Sequence, residues 1–201
     1  MNVTQTLSVT AVALAFTTGL AAQQPPPQQP PRPSQNPPAT MHSTKEAKPA
    51  DHAFVMKMAN GGMTEVELGK LAVKNGGSQD VKTLGQRMVD DHSKAGDELK
   101  AIAERKNIAW PTQMDAKSKA LHDKLAALNG DAFDRAYLSA MLSDHKKDAA
   151  ELRAESKSGK DPDVKAWAAK TLPTVEEHLK QFEQAGGHHT ATSQTAEKKS
   201  R

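Results

Sequence analysis

Four long stretches of this chain carry apolar residues at alternating spacings of three and four, and each stripe is broken once, near its middle, by a polar side chain. The second stretch reads Val81, Leu84, Met88, His92, Ala95, Leu99 and Ile102. The third reads Leu138, Met141, His145, Ala149 and Leu152, and the fourth Val164, Trp167, Thr171, Val175, His178 and Phe182. The first offers Phe54, Met58, Gly61, Glu65, Leu68 and Ala72. Apolar positions at this period share one face of an α-helix. A helix with one apolar face must bury it against others, so four of them predict an all-α, four-helix bundle.

Punctuation residues bound the helices. The first is expected over residues 51–75, closed by Asn75-Gly76-Gly77, with Gly61-Gly62 kinking it. The second starts at Ser78 as N-cap and runs to about residue 107. A longer link follows, holding Trp110-Pro111 and a short helix over 115–128. The third main helix covers 131–158. The fourth takes Asp161 as N-cap and Pro162 as its first residue, a favoured start, and is expected to end at Gly186 with a kink at Pro173. The long link between the second and third helices is the crossover of a ferritin-like topology. Aromatic residues make up only 3% of the chain, which disfavours a large β-sandwich or barrel.

The flanks read differently. Residues 7–20 are apolar or small and uncharged, about 14 residues where a membrane span needs about 20. Gly19 and Ala21 are the small residues of a cleavage site, so residues 1–21 are expected to be a signal peptide and the protein exported, periplasmic or secreted. The lack of Lys or Arg before the apolar run fits a short anchor as the alternative. Residues 22–50 form a Pro/Gln-rich disordered linker, the folded bundle occupies 51–185, and residues 186–201 read as a polar, disordered tail.

The four polar interruptions are Glu65, His92, His145 and His178. Each lies about 20 Å into its helix at 1.5 Å per residue, near mid-height, so the four should meet in one layer. Three imidazoles and a carboxylate suit one divalent transition metal such as Fe, Mn, Zn or Cu. Each His follows an acid, Asp91, Asp144 or Glu177, able to orient a neighbouring imidazole or to add a ligand. A buried hydrogen-bonded ionic network with no metal would also satisfy the rings. An internal repeat supports duplicated hairpins: residues 88–101 read MVDDHSKAGDELKA and residues 141–154 read MLSDHKKDAAELRA.

Four segments carry a resemblance to a known family: NGGMTEVELGKLA at 60–72, VKTLGQRMVDDHSKAGDELKAIA at 81–103, FDRAYLSAMLSDHKKDAAEL at 133–152 and LPTVEEHL at 172–179. Together they resemble the DUF4142 family of bacterial "predicted outer membrane protein" domains. The resemblance spans residues 51–185 and implies a ferritin-like four-helix bundle behind an export signal. It implies no reaction. The sequence shows no barrel-strand pattern, and without cysteine it has no N-terminal lipid anchor.

Other chemistry is excluded by what is missing. There is no Cys, hence no disulfide, thiolate zinc site or iron–sulfur cluster. Nucleotide-binding, serine-hydrolase and zincin motifs are absent. Di-iron bundles use Glu-x-x-His on two helices, but Val89, Leu142 and Val175 stand three residues before the histidines, which favours a mononuclear site. The net charge of +3 is interleaved rather than clustered, which argues against nucleic acid. A homo-oligomer is compatible with the sequence. Three roles remain: an exported metal-binding bundle in envelope or stress physiology, a non-catalytic structural or protective envelope protein, and a mononuclear redox enzyme, for which no substrate-pocket signature exists.

Overall fold

The computed structural model describes residues 49–199. The chain forms α1 (Pro49–Asn75), α2 (Gln79–Arg105), α3 (Ala116–Ala126), α4 (Gly130–Ser158) and α5 (Pro162–Lys199), with no strand among the described residues. The expected signal peptide over 1–21 and nearly all of the linker over 22–50 lie outside the described residues. No helix among those described is long and apolar enough to cross a membrane.

The helix starts follow their capping residues. Ser78 is extended (φ −90°, ψ 150°), and its hydroxyl accepts the Val81 N–H at 3.2 Å. Asp115 accepts from Ser118 N at 2.7 Å, and Asp161 from Asp163 N at 3.0 Å and Val164 N at 3.3 Å. Each bond satisfies a helical N–H that has no partner in its own helix. Helix α2 ends in a Schellman turn. Asn107 takes a left-handed φ of 55°, its N–H reaches Glu104 O, and Ile108 N reaches Ala103 O at 2.9 Å while burying its side chain.

Contacts at the two ends fix the topology. The bridge between Gly76 and Gly130 puts the start of α4 beside the α1–α2 turn. Asp134 on α4 fastens that turn, its carboxylate accepting Gly77 N and Ser78 N at 2.8 Å each. At the far end Lys106 meets Asp161 at 2.8 Å, and Lys160 N donates to Asp51 at 3.0 Å. The helices therefore run up, down, down, up, and the α2–α4 connection crosses the full height of the bundle. That is the expected ferritin-like order, with α3 as the extra helix in the crossover. The crossover lies along α1, where Asp115 N donates to Asn60 Oδ1 at 3.2 Å and Asn75 to Leu128 O at 3.1 Å.

The expected end of the last helix needs correction. Helix α5 passes Gly186-Gly187 and continues to Lys199, through residues whose polar composition suggests a disordered tail. A glycine ends a helix when it adopts the left-handed conformation, and neither Gly186 nor Gly187 does. Left in helical geometry, a glycine costs only about 1 kcal/mol relative to alanine. Helix α1 runs through Gly61-Gly62 and α5 through Pro173 without ending there.

The core divides into two apolar clusters. One gathers Phe54, Met58, Leu99, Leu152, Val164 and Trp167. The other gathers Leu68, Met88, Phe133, Tyr137, Met141 and Phe182. Leu84, Met88, Leu99, Leu138, Leu152 and Phe182 are all buried, as their stripes require. Between the clusters lies the polar layer.

Candidate metal centre

Helices α1, α2, α4 and α5 each bring one polar group to the layer. Glu65, His145 and His178 are 1% exposed or less and His92 is 8% exposed. The ring centroids of the three histidines stand 5.3, 5.3 and 5.4 Å apart. One nitrogen from each ring lies within 4.8 Å of one from each of the others.

Proton positions follow from the partners. His145 Nδ1 lies 3.1 Å from Met141 O, one turn earlier, and 3.1 Å from Glu65 Oε1. Both neighbours only accept, so Nδ1 carries the proton, and the carbonyl takes it. His178 Nε2 lies 2.8 Å from Asp91 Oδ2, so that nitrogen is protonated. His92 Nδ1 donates to Glu65 Oε2 at 2.8 Å. The nitrogens left with lone pairs are His92 Nε2, His145 Nε2 and His178 Nδ1. The last two face each other at 3.3 Å, and His92 Nε2 is buried with no hydrogen-bond partner. In metal-ligating histidines the other ring nitrogen commonly donates to a carboxylate or a carbonyl, and all three rings here do so.

This geometry redistributes the expected roles. Glu65 joins the layer, but as the acceptor that holds His92 rather than as a fourth member of the nitrogen cluster. Asp91 does the same for His178, as its position one residue before His92 suggested. Asp144 pairs with no imidazole among the described residues: it lies on α4 beside Asp148, and its ion pair is with Lys147 at 3.8 Å. Glu177 does not enter the site; it is half-exposed and pairs with Lys180 at 3.6 Å. A residue next to a histidine is turned about 100° around the helix, and for α5 that direction faces solvent.

Charge is balanced within the layer. Burial alone would raise the Glu65 carboxyl, but the charges of His92 and His145 outweigh it and hold the group at about 2. Burial pushes the His145 ring down to about 4, and His178 is lowered by the same cause against the pull of Asp91. Burial also opposes charge on His92, yet Glu65, with Asp148 and Asp91 behind it, holds that ring above its ordinary value. His145 and His178 are therefore neutral at pH 7, while the negative field at His92 favours a positive charge there, either a proton on Nε2 or a metal ion in its place.

Asp148 is a member that the sequence pattern does not single out. It is 9% exposed, and burial, reinforced by the charges of Glu65 and Asp144, pushes it up to about 8. A signal was present in the repeat: Asp148 stands where the other copy has Ala95. A cavity of about 250 Å³ reaches Glu65, His92 and Asp148 between Met58, Trp110 and Trp167. A second, of about 120 Å³, reaches His92, His178 and Asp91 past Lys170.

These features define a class: a helical bundle of ferritin-like connectivity with three converging, buried imidazoles in its interior. The chain belongs to the DUF4142 family, a domain of unknown function, whose family model matches residues 36–185. No curated protein matches it. Among solved structures it is similar to a DUF305 fragment from Deinococcus radiodurans, with 16% identity and a TM-score of 0.63 over 71% of this chain and 99% of that one. It is also similar to CopM in the Cu(I)-bound form, with 15% identity and a TM-score of 0.56 over 67% of this chain and 93% of that one. CopM in the Cu(II)-bound form gives 15% identity and a TM-score of 0.55 over 69% and 96%. At these identities the likeness is one of fold.

Proposed function

We propose that this bundle binds one transition-metal ion through His92 Nε2, His145 Nε2 and His178 Nδ1. The observation that carries the reading is the set of three converging buried ring nitrogens, each on a ring whose other nitrogen donates to an acceptor. Without a cation, His145 Nε2 and His178 Nδ1 repel at 3.3 Å and His92 Nε2 is an unsatisfied buried atom. An ion placed among donors with bonds of about 2 Å separates them by roughly 3–4 Å, which matches the spacing seen. Copper is the first candidate. Imidazole suits it, Cu(II) stands highest among the divalent ions of the first transition row, and the bundle neighbour CopM has Cu(I)-bound and Cu(II)-bound forms.

Three protein ligands leave a coordination position open, and the two cavities give that position access. The reading extends to an exported protein that sequesters metal in the cell envelope or under metal or oxidative stress. The export signal read at residues 1–21 supports that location.

The test is elemental analysis and copper titration of protein purified without a histidine tag. One equivalent of copper should bind, and His145→Gln or His178→Gln should abolish that equivalent while His122→Gln leaves it intact. Wild-type protein that takes up no copper, zinc, iron or manganese at this layer would leave the buried hydrogen-bond network as the reading.

A further inference from the structure

Beside the imidazole layer, α1 and α4 gather three carboxylates. Glu65, Asp144 and Asp148 each offer an oxygen within 4.8 Å of the other two. Asp144 and Asp148 are one turn apart on α4 and so share its face. Opposite Asp148, α1 has Gly61, where an added methyl would sit in ordinary contact, 3.8 Å from Asp148 Oδ2.

An acidic cluster alone says little, but two buried groups here have oxygens that accept no hydrogen bond. Glu65 is 1% exposed; its Oε2 takes the His92 proton, while its buried Oε1, 3.1 Å from His145 Nδ1, accepts no hydrogen bond, since that proton goes to the Met141 carbonyl. Asp148 makes no hydrogen bond or ion pair with any described residue, and its nearest lysine on α1, Lys57, is engaged by Glu151 at 2.6 Å. Three carboxylates this close in a buried interior cannot all carry charge unless a cation joins them.

We propose that Glu65, Asp144 and Asp148 form a second cation position, built of oxygen donors and suited to a hard divalent ion such as Mn²⁺. Carboxylate oxygens select such ions, whereas the neighbouring imidazoles select copper or zinc. Oxygens bound at about 2.0–2.6 Å around one ion fall within the spacing observed. Glu65 then links the two positions, one oxygen toward His92 and the other toward the hard ion. The cavity of about 250 Å³ that reaches Glu65 and Asp148 gives a hydrated cation its way in. This site goes beyond the imidazole reading and does not require it, since only Glu65 is shared.

The test uses Mn²⁺ itself, followed by its electron paramagnetic resonance signal, on the full chain with and without copper. Wild-type protein should bind Mn²⁺; Asp148→Asn and Asp144→Asn should each weaken it by at least about tenfold, and Asp144→Asn should keep the copper equivalent. His178→Gln should lose copper and keep Mn²⁺. Thermal unfolding by circular dichroism checks each variant; should Asp148→Asn not fold, Asp144→Asn decides. Mn²⁺ that stays free at millimolar concentration, or binds equally to wild type and both Asn variants, overturns the second site. Loss of copper binding in the wild type with Mn²⁺ retained overturns the imidazole reading alone.

Discussion

His145 Nε2 and His178 Nδ1 face each other at 3.3 Å with no proton to share. The Met141 carbonyl fixes the proton of His145 on Nδ1, and the Asp91 carboxylate fixes that of His178 on Nε2. Two buried lone pairs so placed are unfavourable in the free protein and favourable around a cation.

Metal binding should therefore stabilise the fold. An ion that binds only the native state should add about 2.7 kcal/mol at a concentration a hundredfold above its dissociation constant. Differential scanning calorimetry with and without copper should show a higher melting temperature, and a chelator should reverse it. Glu65→Gln and Asp91→Asn, which loosen His92 and His178, should weaken copper roughly 10–100-fold without removing a ligand. Equal copper affinity in these variants and the wild type would contradict the orienting role.

The metal-free protein should weaken with acid in two windows. His145 is depressed from 6.5 to about 4. Above pH 6.5 the ring is neutral folded or unfolded; between 6.5 and about 4 the unfolded chain takes up a proton that the folded one refuses. Stability is lost as pH falls through this range, on the order of 3 kcal/mol for this one ring. Glu65, held at about 2 against 4.5, adds a second loss as pH falls below 4.5. Urea unfolding of wild type and His145→Gln from pH 7 to 4 should show a shallower slope in the variant, and parallel curves would refute the assignment.

The bundle is legible in the sequence because its signal is local. A period of three and four, a capping Ser78 or Asp161 and a Pro162 act within one or two turns, so the helices they bound can be read directly. The depth of Glu65, His92, His145 and His178 is legible too, since each can be counted along its own helix. The chemistry of each group is not. Whether Glu65 ligates or orients depends on which nitrogen of His92 points toward it. Whether Asp144 or Glu177 serves the site depends on which neighbour packs beside α4 or α5. Asp148 matters because α1 presents Glu65 and a bare Gly61 opposite it, a relation across helices that no single stripe contains.

Two leucines test the core on either hairpin. Leu99 on α2 and Leu152 on α4 are each 1% exposed in the apolar cluster on one side of the polar layer. Truncation to alanine should cost about 2–5 kcal/mol at either position, the transfer of the lost atoms plus the cavity left behind. Val73, at 40% exposure, is the control: Val73→Ala should stay within about 0.5 kcal/mol. Urea denaturation reads all three.

Helices α1 and α2 approach so closely at Gly69 and Gly85 that backbone replaces side chain in the interface. A Cβ on Gly85 would lie 2.6 Å from the Ala72 Cβ and 2.7 Å from Gly69 O. One on Gly69 would lie 2.6 Å from Gly85 O. These neighbours are a helix backbone and a methyl on its stem, which cannot swing aside as a long side chain would. Helix propensity favours alanine by about 1 kcal/mol, so Gly85→Ala would stabilise an exposed helix. Here overpacking typically costs about 1–3 kcal/mol, and it must push apart the helices that carry Glu65 and His92. Gly85→Ala should therefore lower the melting temperature and weaken copper binding together, whereas Gly96→Ala, which meets no neighbour, should raise the melting temperature and leave copper alone. A stabilising Gly85→Ala would show that the α1–α2 packing is looser than these distances state.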